Sequence, residues 1–163
     1  MFIIIQVSKR DFSHRFGFLV NEVGRLYGRR FDQLSRQQLG LSRAQCRLLG
    51  VLAQHEGERP LTQAELAERL DLTPMGVTSL CDRMEAGGWI RRAPTPNDRR
   101  ANSIELEPKA HAALDGALEL SDEVQDAALA GFTAAERKQL VAMLQRVRAN
   151  LQAPAMAAAG ARS

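Results

Sequence analysis

The chain has 163 residues, 45% of them hydrophobic and 25% charged, with a formal net charge of +3 and an isoelectric point near 9.3. That length supports one sizeable core with extensions rather than two independent domains, and the mildly basic balance fits a nucleic-acid partner without excluding soluble enzymes. Cys46 and Cys81 are too few for a disulfide framework and form no Cys-x-x-Cys pair for zinc. The apolar opening Met1-Phe-Ile-Ile-Ile is too short for a secretion signal, and no later run approaches the roughly 20 apolar residues of a membrane span, so a soluble, cytoplasmic protein is expected.

In chain order, Phe16, Leu19, Val20, Val23, Leu26, Tyr27, Phe31 and Leu34 recur at helical steps and predict a long amphipathic helix from Asp11 to about Gln38. Gly40 and the capping-type Ser42 separate it from a helix carrying Cys46, Leu48, Leu49, Val51 and Leu52, which ends in the turn-forming stretch from His55 to Pro60. Thr62 followed by Glu65 is a capping box that opens a short helix through Leu66, Ala67 and Leu70. After a break at Asp71 and Leu72, an N-cap Thr73 and Pro74 at the first helical position open the next helix. Its apolar stripe is Val77, Leu80, Cys81 and Met84, and Gly87 and Gly88 stop it.

Trp89 to Arg92 alternates as a strand does, Ala93 to Asp98 is turn chemistry, and Asn102 to Leu106 alternates again, predicting a β-hairpin with an arginine-rich tip. Beyond Pro108, a second long helix is marked by Ala110, Leu114, Ala117, Leu118, Val124 and Ala128. The capping box of Thr133 and Glu136 starts a last helix through Leu140, Leu144, Val147 and Leu151. The Ala-, Pro- and Gly-rich tail from Gln152 is expected to be disordered.

Two short helices joined by a tight turn are the sequence form of a helix-turn-helix. A major groove admits one helix, and a reading helix must present small and polar groups near its N-terminus. With its apolar stripe turned inward, the helix after Thr73 presents Thr73, Pro74, Met75, Gly76, Thr78, Ser79, Asp82 and Arg83. An ordinary capped surface helix has the same pattern. The hairpin that follows makes the distinction, because a rigid turn carrying Asp98, Arg99 and Arg100 is suited to a narrow, electronegative minor groove, with Asp98 able to orient a neighbouring arginine. Basic residues also gather in the first third, at Lys9, Arg10, Arg15, Arg25, Arg29, Arg30 and Arg36.

The stretches Leu41-Ser-Arg-Ala-Gln-Cys-Arg-Leu-Leu, Leu61-Thr-Gln-Ala-Glu-Leu-Ala-Glu-Arg-Leu, Val77-Thr-Ser-Leu-Cys-Asp-Arg-Met-Glu-Ala-Gly-Gly-Trp-Ile-Arg-Arg and Pro96-Asn-Asp-Arg-Arg-Ala-Asn-Ser-Ile-Glu-Leu resemble the MarR (multiple antibiotic resistance regulator) family. The resemblance runs from the first long helix to Leu151. It implies a mainly α winged helix-turn-helix, with a three-helix core, a two-stranded wing and long terminal dimerisation helices. In that arrangement Thr73, Pro74, Met75, Gly76, Thr78, Ser79 and Arg83 meet the major groove, and the Asp-x-Arg of Asp98 and Arg100, with Arg99, meets the minor groove. The implied divisions are residues 1–40 and 108–151 for dimerisation, 41–107 for DNA reading and 152–163 as tail.

The function implied is a homodimeric, non-enzymatic regulator of transcription, a repressor on a palindromic double-stranded operator. Apolar stripes longer than a small winged domain can cover independently favour a twofold partner, although the same helices packing together within one monomer would also bury them. Many relatives respond to small lipophilic acids, and His14, Phe18, Arg25, Tyr27 and His55 are the candidates for such an effector cleft. Both cysteines are expected to be buried and inert. Dispersed histidines argue against a metal site, and the lack of phosphate loops or nucleophile elbows argues against a cofactor or catalysis. The rival reading is a winged-helix adaptor that binds protein rather than DNA.

Overall fold

The computed structural model describes residues 11–56, 61–95 and 98–153, side chains excepted at 94, 95 and 98–103. The apolar opening, turn residues 57–60, Pro96 and Asn97 at the hairpin tip, and the tail beyond Ala153 lie outside the described residues. The elements are helices α1 (Phe16–Leu39), α2 (Arg43–Ala53), α3 (Gln63–Leu70) and α4 (Pro74–Ala86), strands β1 (Ile90–Thr95) and β2 (Asp98–Leu106), and helices α5 (Pro108–Ala128) and α6 (Ala134–Gln152). Among the described residues, no helix is long and apolar enough to cross a membrane.

Most boundaries follow from local chemistry. Ser42, Thr62 and Thr133 each accept the N–H of the third helical residue, while the Gln45, Glu65 or Glu136 side chain at that residue accepts the cap's own N–H. Each of these boxes satisfies two donors that a helix start otherwise leaves open. Helix α1 ends because Gly40 takes the left-handed conformation (φ 67°) and both Gly40 and Leu41 donate to the Ser35 carbonyl.

The start of α1 corrects the expected one: it begins at Phe16, not Asp11. The Ser13 N–H is held at 2.8 Å by the Asp11 carboxylate and the Arg15 N–H at 2.9 Å by the Phe12 carbonyl, so a local turn takes donors that a helix would need. The hairpin is longer than expected. Pairing runs from Ile90↔Leu106 to Pro94↔Asn102 and, after an irregularity, to Thr95↔Asp98. Pro94 is tolerated because each strand of a two-stranded ribbon is an edge, where a missing N–H need cost no ladder bond.

The chain divides into two compact units, Met1–Val124 and Gln125–Ser163. In the first, Leu48, Leu49, Leu66, Val77, Leu80, Cys81, Met84, Ile90 and Ala110 join α2, α3, α4, β1 and the start of α5 in one core. Burial of each large aliphatic side chain there contributes about 1.5–3 kcal/mol. A smaller cluster of Leu34, Leu120 and Val124, flanked by Tyr27, Phe31 and Leu39, seats the C-terminal half of α1 on α5. The N-terminal half of α1 is different, with Phe16, Phe18, Leu19, Val20, Val23 and Leu26 all exposed. In the second unit, α6 contains no buried residue, and Val141, Met143, Leu144 and Leu151 are exposed.

Candidate nucleic-acid interface

Helix α4 buries Val77, Leu80, Cys81 and Met84 and leaves its opposite face to solvent. At its start Thr73 is the N-cap, its Oγ1 accepting the Gly76 N–H at 3.1 Å, and Pro74 supplies a pre-set φ where no N–H is needed. A Cβ at Gly76 would sit 3.3 Å from that same Oγ1, so the glycine keeps the cap uncrowded. Met75 stands 82% exposed, which is unusual for a large apolar side chain and places it at the outermost point of the helix start.

The hydroxyls are not equivalent. The Thr78 hydroxyl donates to the Pro74 carbonyl at 3.1 Å, spending its proton within the helix. The Ser79 hydroxyl accepts from the Arg83 guanidinium at 2.9 Å and so keeps a proton to donate outward. Thr73, Ser79 and Arg83 are therefore the donors best placed for acceptor-only phosphate oxygens.

Beside this face, the wing is tied down by an arginine of its first strand. The Arg92 guanidinium in β1 lies 2.5 Å from the Asp82 carboxylate and also donates to Glu85, which accepts the Arg92 backbone N–H at 3.0 Å as well. The hydrogen bond it donates to Asp82 outweighs partial burial and holds Arg92 more firmly protonated than usual. Arg91 pairs with Glu105, its cross-strand partner, and reaches Glu107 at 3.7 Å. Arg91 and Arg92 thus have their charge matched in place. The only advance signal was the pairing of Asp82 with Glu85 three residues later on a face otherwise free of acids.

At the base of the wing, the Lys109 ammonium sits 4.2 Å from the Trp89 ring centre and donates to the Gly87 carbonyl, closing the turn that Gly88 makes at φ 65°. Asp98, Arg99 and Arg100 belong to β2 by their backbone. The pairing expected of Asp98 with an arginine lies outside the described side chains.

The effector candidates are dispersed. Phe18 stacks on Phe12 with ring centres 5.0 Å apart, and His14 is exposed in the turn before α1. The Tyr27 hydroxyl contacts the Ser121 carbonyl at 3.2 Å, and His55 Nδ1 contacts the Val51 carbonyl at 2.9 Å. Arg25 and Tyr27 are two residues apart on one helix, which turns them about 200° from each other, so they line different sides of α1. Both cysteines are buried. Desolvation pushes each thiol above its ordinary range, for Cys46 against a hydrogen bond from Ser35 and for Cys81 against the Arg92 charge.

The MarR family model matches residues 39–101, the span from the end of α1 into the second strand of the wing. The regulator PecS of Dickeya dadantii is 29% identical over 111 residues, covering 68% of this chain and 67% of PecS. A solved structure, the transcriptional regulator PA3341, is 32% identical with a TM-score of 0.69, covering 84% of this chain and 98% of that one. The chain belongs to the MarR family. Its helices α2 to α4 with β1 and β2 are the family's winged helix-turn-helix, and α1, α5 and α6 are the flanking helices of that fold. The MepR–DNA complex of S. aureus shares the fold at a TM-score of 0.69 and 22% identity, covering 87% of this chain and all of that one. MarR-family membership places the chain among HTH-type transcriptional regulators rather than enzymes.

Proposed function

We propose that this MarR-family chain acts in the cytoplasm as a homodimeric repressor that binds a palindromic double-stranded operator. The observation that carries the reading is the start of α4: a capped helix end with Met75 82% exposed and the hydrogen-bonded pair Ser79 and Arg83 on its solvent face, joined through Arg92 to a two-stranded wing. Such an end enters a major groove with its first residues on base edges and phosphates. Thr73, Pro74, Met75, Gly76, Thr78, Ser79 and Arg83 form that contact, while Asp98, Arg99 and Arg100 bring the wing to the minor groove. MepR, a relative in fold, has been solved as a DNA complex, which supports the same docking.

Residues 41–107 serve as the reading domain, and 1–40 with 108–151 as the dimerisation region. Support for the dimer comes from Phe16, Leu19, Val20, Val23 and Leu26, which are all exposed and fall on one face of α1, an apolar stripe of the kind that marks an interaction surface. Twofold pairing would cover it and repeat the reader on a second half-site.

The test is binding of the full-length protein to operator duplexes selected from genomic fragments, followed by anisotropy across a salt series. The expected result is preference over scrambled duplex with log affinity falling linearly and steeply with log salt. Binding that is absent or insensitive to salt would instead support a protein-binding adaptor.

A further inference from the structure

Beyond DNA reading, the basic residues of α1 acquire a place in the structure. We propose that the cleft between α1 and the start of α2 binds a compact polyanion, a phosphorylated small molecule with at least two negative groups. Arg25, Arg29, Asp32 and Arg36 are spaced three and four apart, which sets them on one face of α1, and Arg43 and Arg47 face them from α2. The space between has a volume of about 560 Å³. It is lined by five guanidinium groups and a single carboxylate, that of Asp32.

That carboxylate is already spent. Asp32 accepts Arg36 Nε at 2.7 Å through one oxygen and the Arg43 backbone N–H at 2.7 Å through the other. Arg47 donates to the Arg69 carbonyl at 3.1 Å, which fixes its position without neutralising it, and Arg25 only approaches Glu22, at 3.7 Å. Among the described residues the Arg29 guanidinium has no carboxylate partner, and that of Arg43 acts on Asp32 only through its charge, the Asp32 oxygens being taken by Arg36 and the Arg43 N–H. Gathering such charges costs self-repulsion, which a bound anion reverses.

The position of Arg43 is built into α1. Its guanidinium lies against the buried Gly28, where a Cβ would stand 2.3 Å from Nη1, so a side chain at position 28 would push the group from this seat. The lining has no aromatic ring and no aliphatic side chain larger than that of Ala44, which leaves nothing for a lipophilic acid to bury. Planar guanidinium forks match phosphate oxygens in pairs, and several of them match several phosphates.

The experiment is titration calorimetry of the full-length protein, free of DNA, with inorganic pyrophosphate and tripolyphosphate at constant ionic strength, against benzoate and chloride. Saturable uptake of the polyphosphates is expected, with weak or no uptake of benzoate. The Arg29→Ala, Arg43→Ala double variant should bind about tenfold more weakly. Gly28→Ala should weaken binding in the same direction, because its Cβ pushes the Arg43 guanidinium from its seat while removing no charge and favouring the helix. Uptake no greater than the chloride control overturns the proposal, as does full binding by the double variant. So does a double variant whose only defect is a shallower salt dependence on duplex DNA, since that assigns the arginines to the DNA backbone. Because no DNA is present in the titration, its outcome is separate from that of the operator measurement.

Discussion

Arg92 in β1 lies 2.5 Å from Asp82 in α4, and the same guanidinium reaches Glu85 one turn further along. The wing of a winged helix is a two-stranded ribbon, an element too small to hold its own orientation. Here a cation on its first strand is gripped by two carboxylates of the preceding helix, so the ribbon's direction is set by α4 itself.

Arg92→Ala is accordingly expected to loosen the wing more than the core. The ion pairs are partly solvent-exposed, so the cost to global stability is about 1 kcal/mol, read from denaturant midpoints. Amide exchange in β2 should accelerate while that of α2 and α3 stays unchanged. Uniform acceleration across both regions would show that Arg92 supports the whole fold rather than the wing.

Replacing Arg100 with alanine should weaken operator binding by about 1–3 kcal/mol and leave thermal stability as it was. Anisotropy titration with the selected operator measures the first and a melting curve the second. Unchanged affinity would remove the wing from DNA recognition.

Thr73→Ala removes the cap of α4 and should cost about 1 kcal/mol of stability. Thr73→Ser keeps the capping oxygen and should recover nearly all of it. If operator affinity falls in the alanine variant and returns in the serine variant, the hydroxyl is serving the helix start and the groove together. Melting and binding measured on the same preparations separate these effects.

Asp32 links stability to acid pH. Its hydrogen bond from Arg36 and then that from the Arg43 N–H hold its carboxyl below the ordinary aspartate value of 3.8. A carboxylate with a lowered folded-state value stabilises the fold above its unfolded value and loses that contribution as pH falls through the folded one. Stability of the parent should therefore decline below about pH 3.8 more steeply than that of Asp32→Asn, which lacks the titrating group. Parallel acid-unfolding curves for the two proteins would count against this role.

Cys46 and Cys81 are buried, with thiols pushed up by desolvation, so neither should react with Ellman's reagent at pH 8 in the native state. Both should titrate at once in guanidinium. Rapid native labelling at Cys81 would mean that α4 opens locally far more often than its packing suggests.

The helix starts at Thr62, Thr73 and Thr133 were legible without coordinates because a cap and its partner are three residues apart and interact whatever the rest of the chain does. The inward stripe of α4 was legible for a similar reason, since helical periodicity alone puts Val77, Leu80, Cys81 and Met84 on one side. The start of α1 was not. Its apolar spacing fits a helix beginning nearer Asp11, and only the competing turn at Asp11 and Ser13 delays it to Phe16. The reach of strand pairing toward Pro94 also escaped, because a ladder is decided by the opposite strand rather than by local alternation.

The amino-acid sequence by itself determined the order of elements, the capped helix α4, the wing and the family, all of which depend on neighbours within one or two helical turns. Tertiary structure alone decided which charges are spent and which are free. Arg92 meets Asp82 across ten residues, Tyr27 meets Ser121 across 94, and the guanidinium of Arg43 rests on Gly28 only because α2 folds back against α1. Electrostatic partnership falls off steeply with distance in space, and for residues on different elements the fold, not the spacing along the chain, sets that distance.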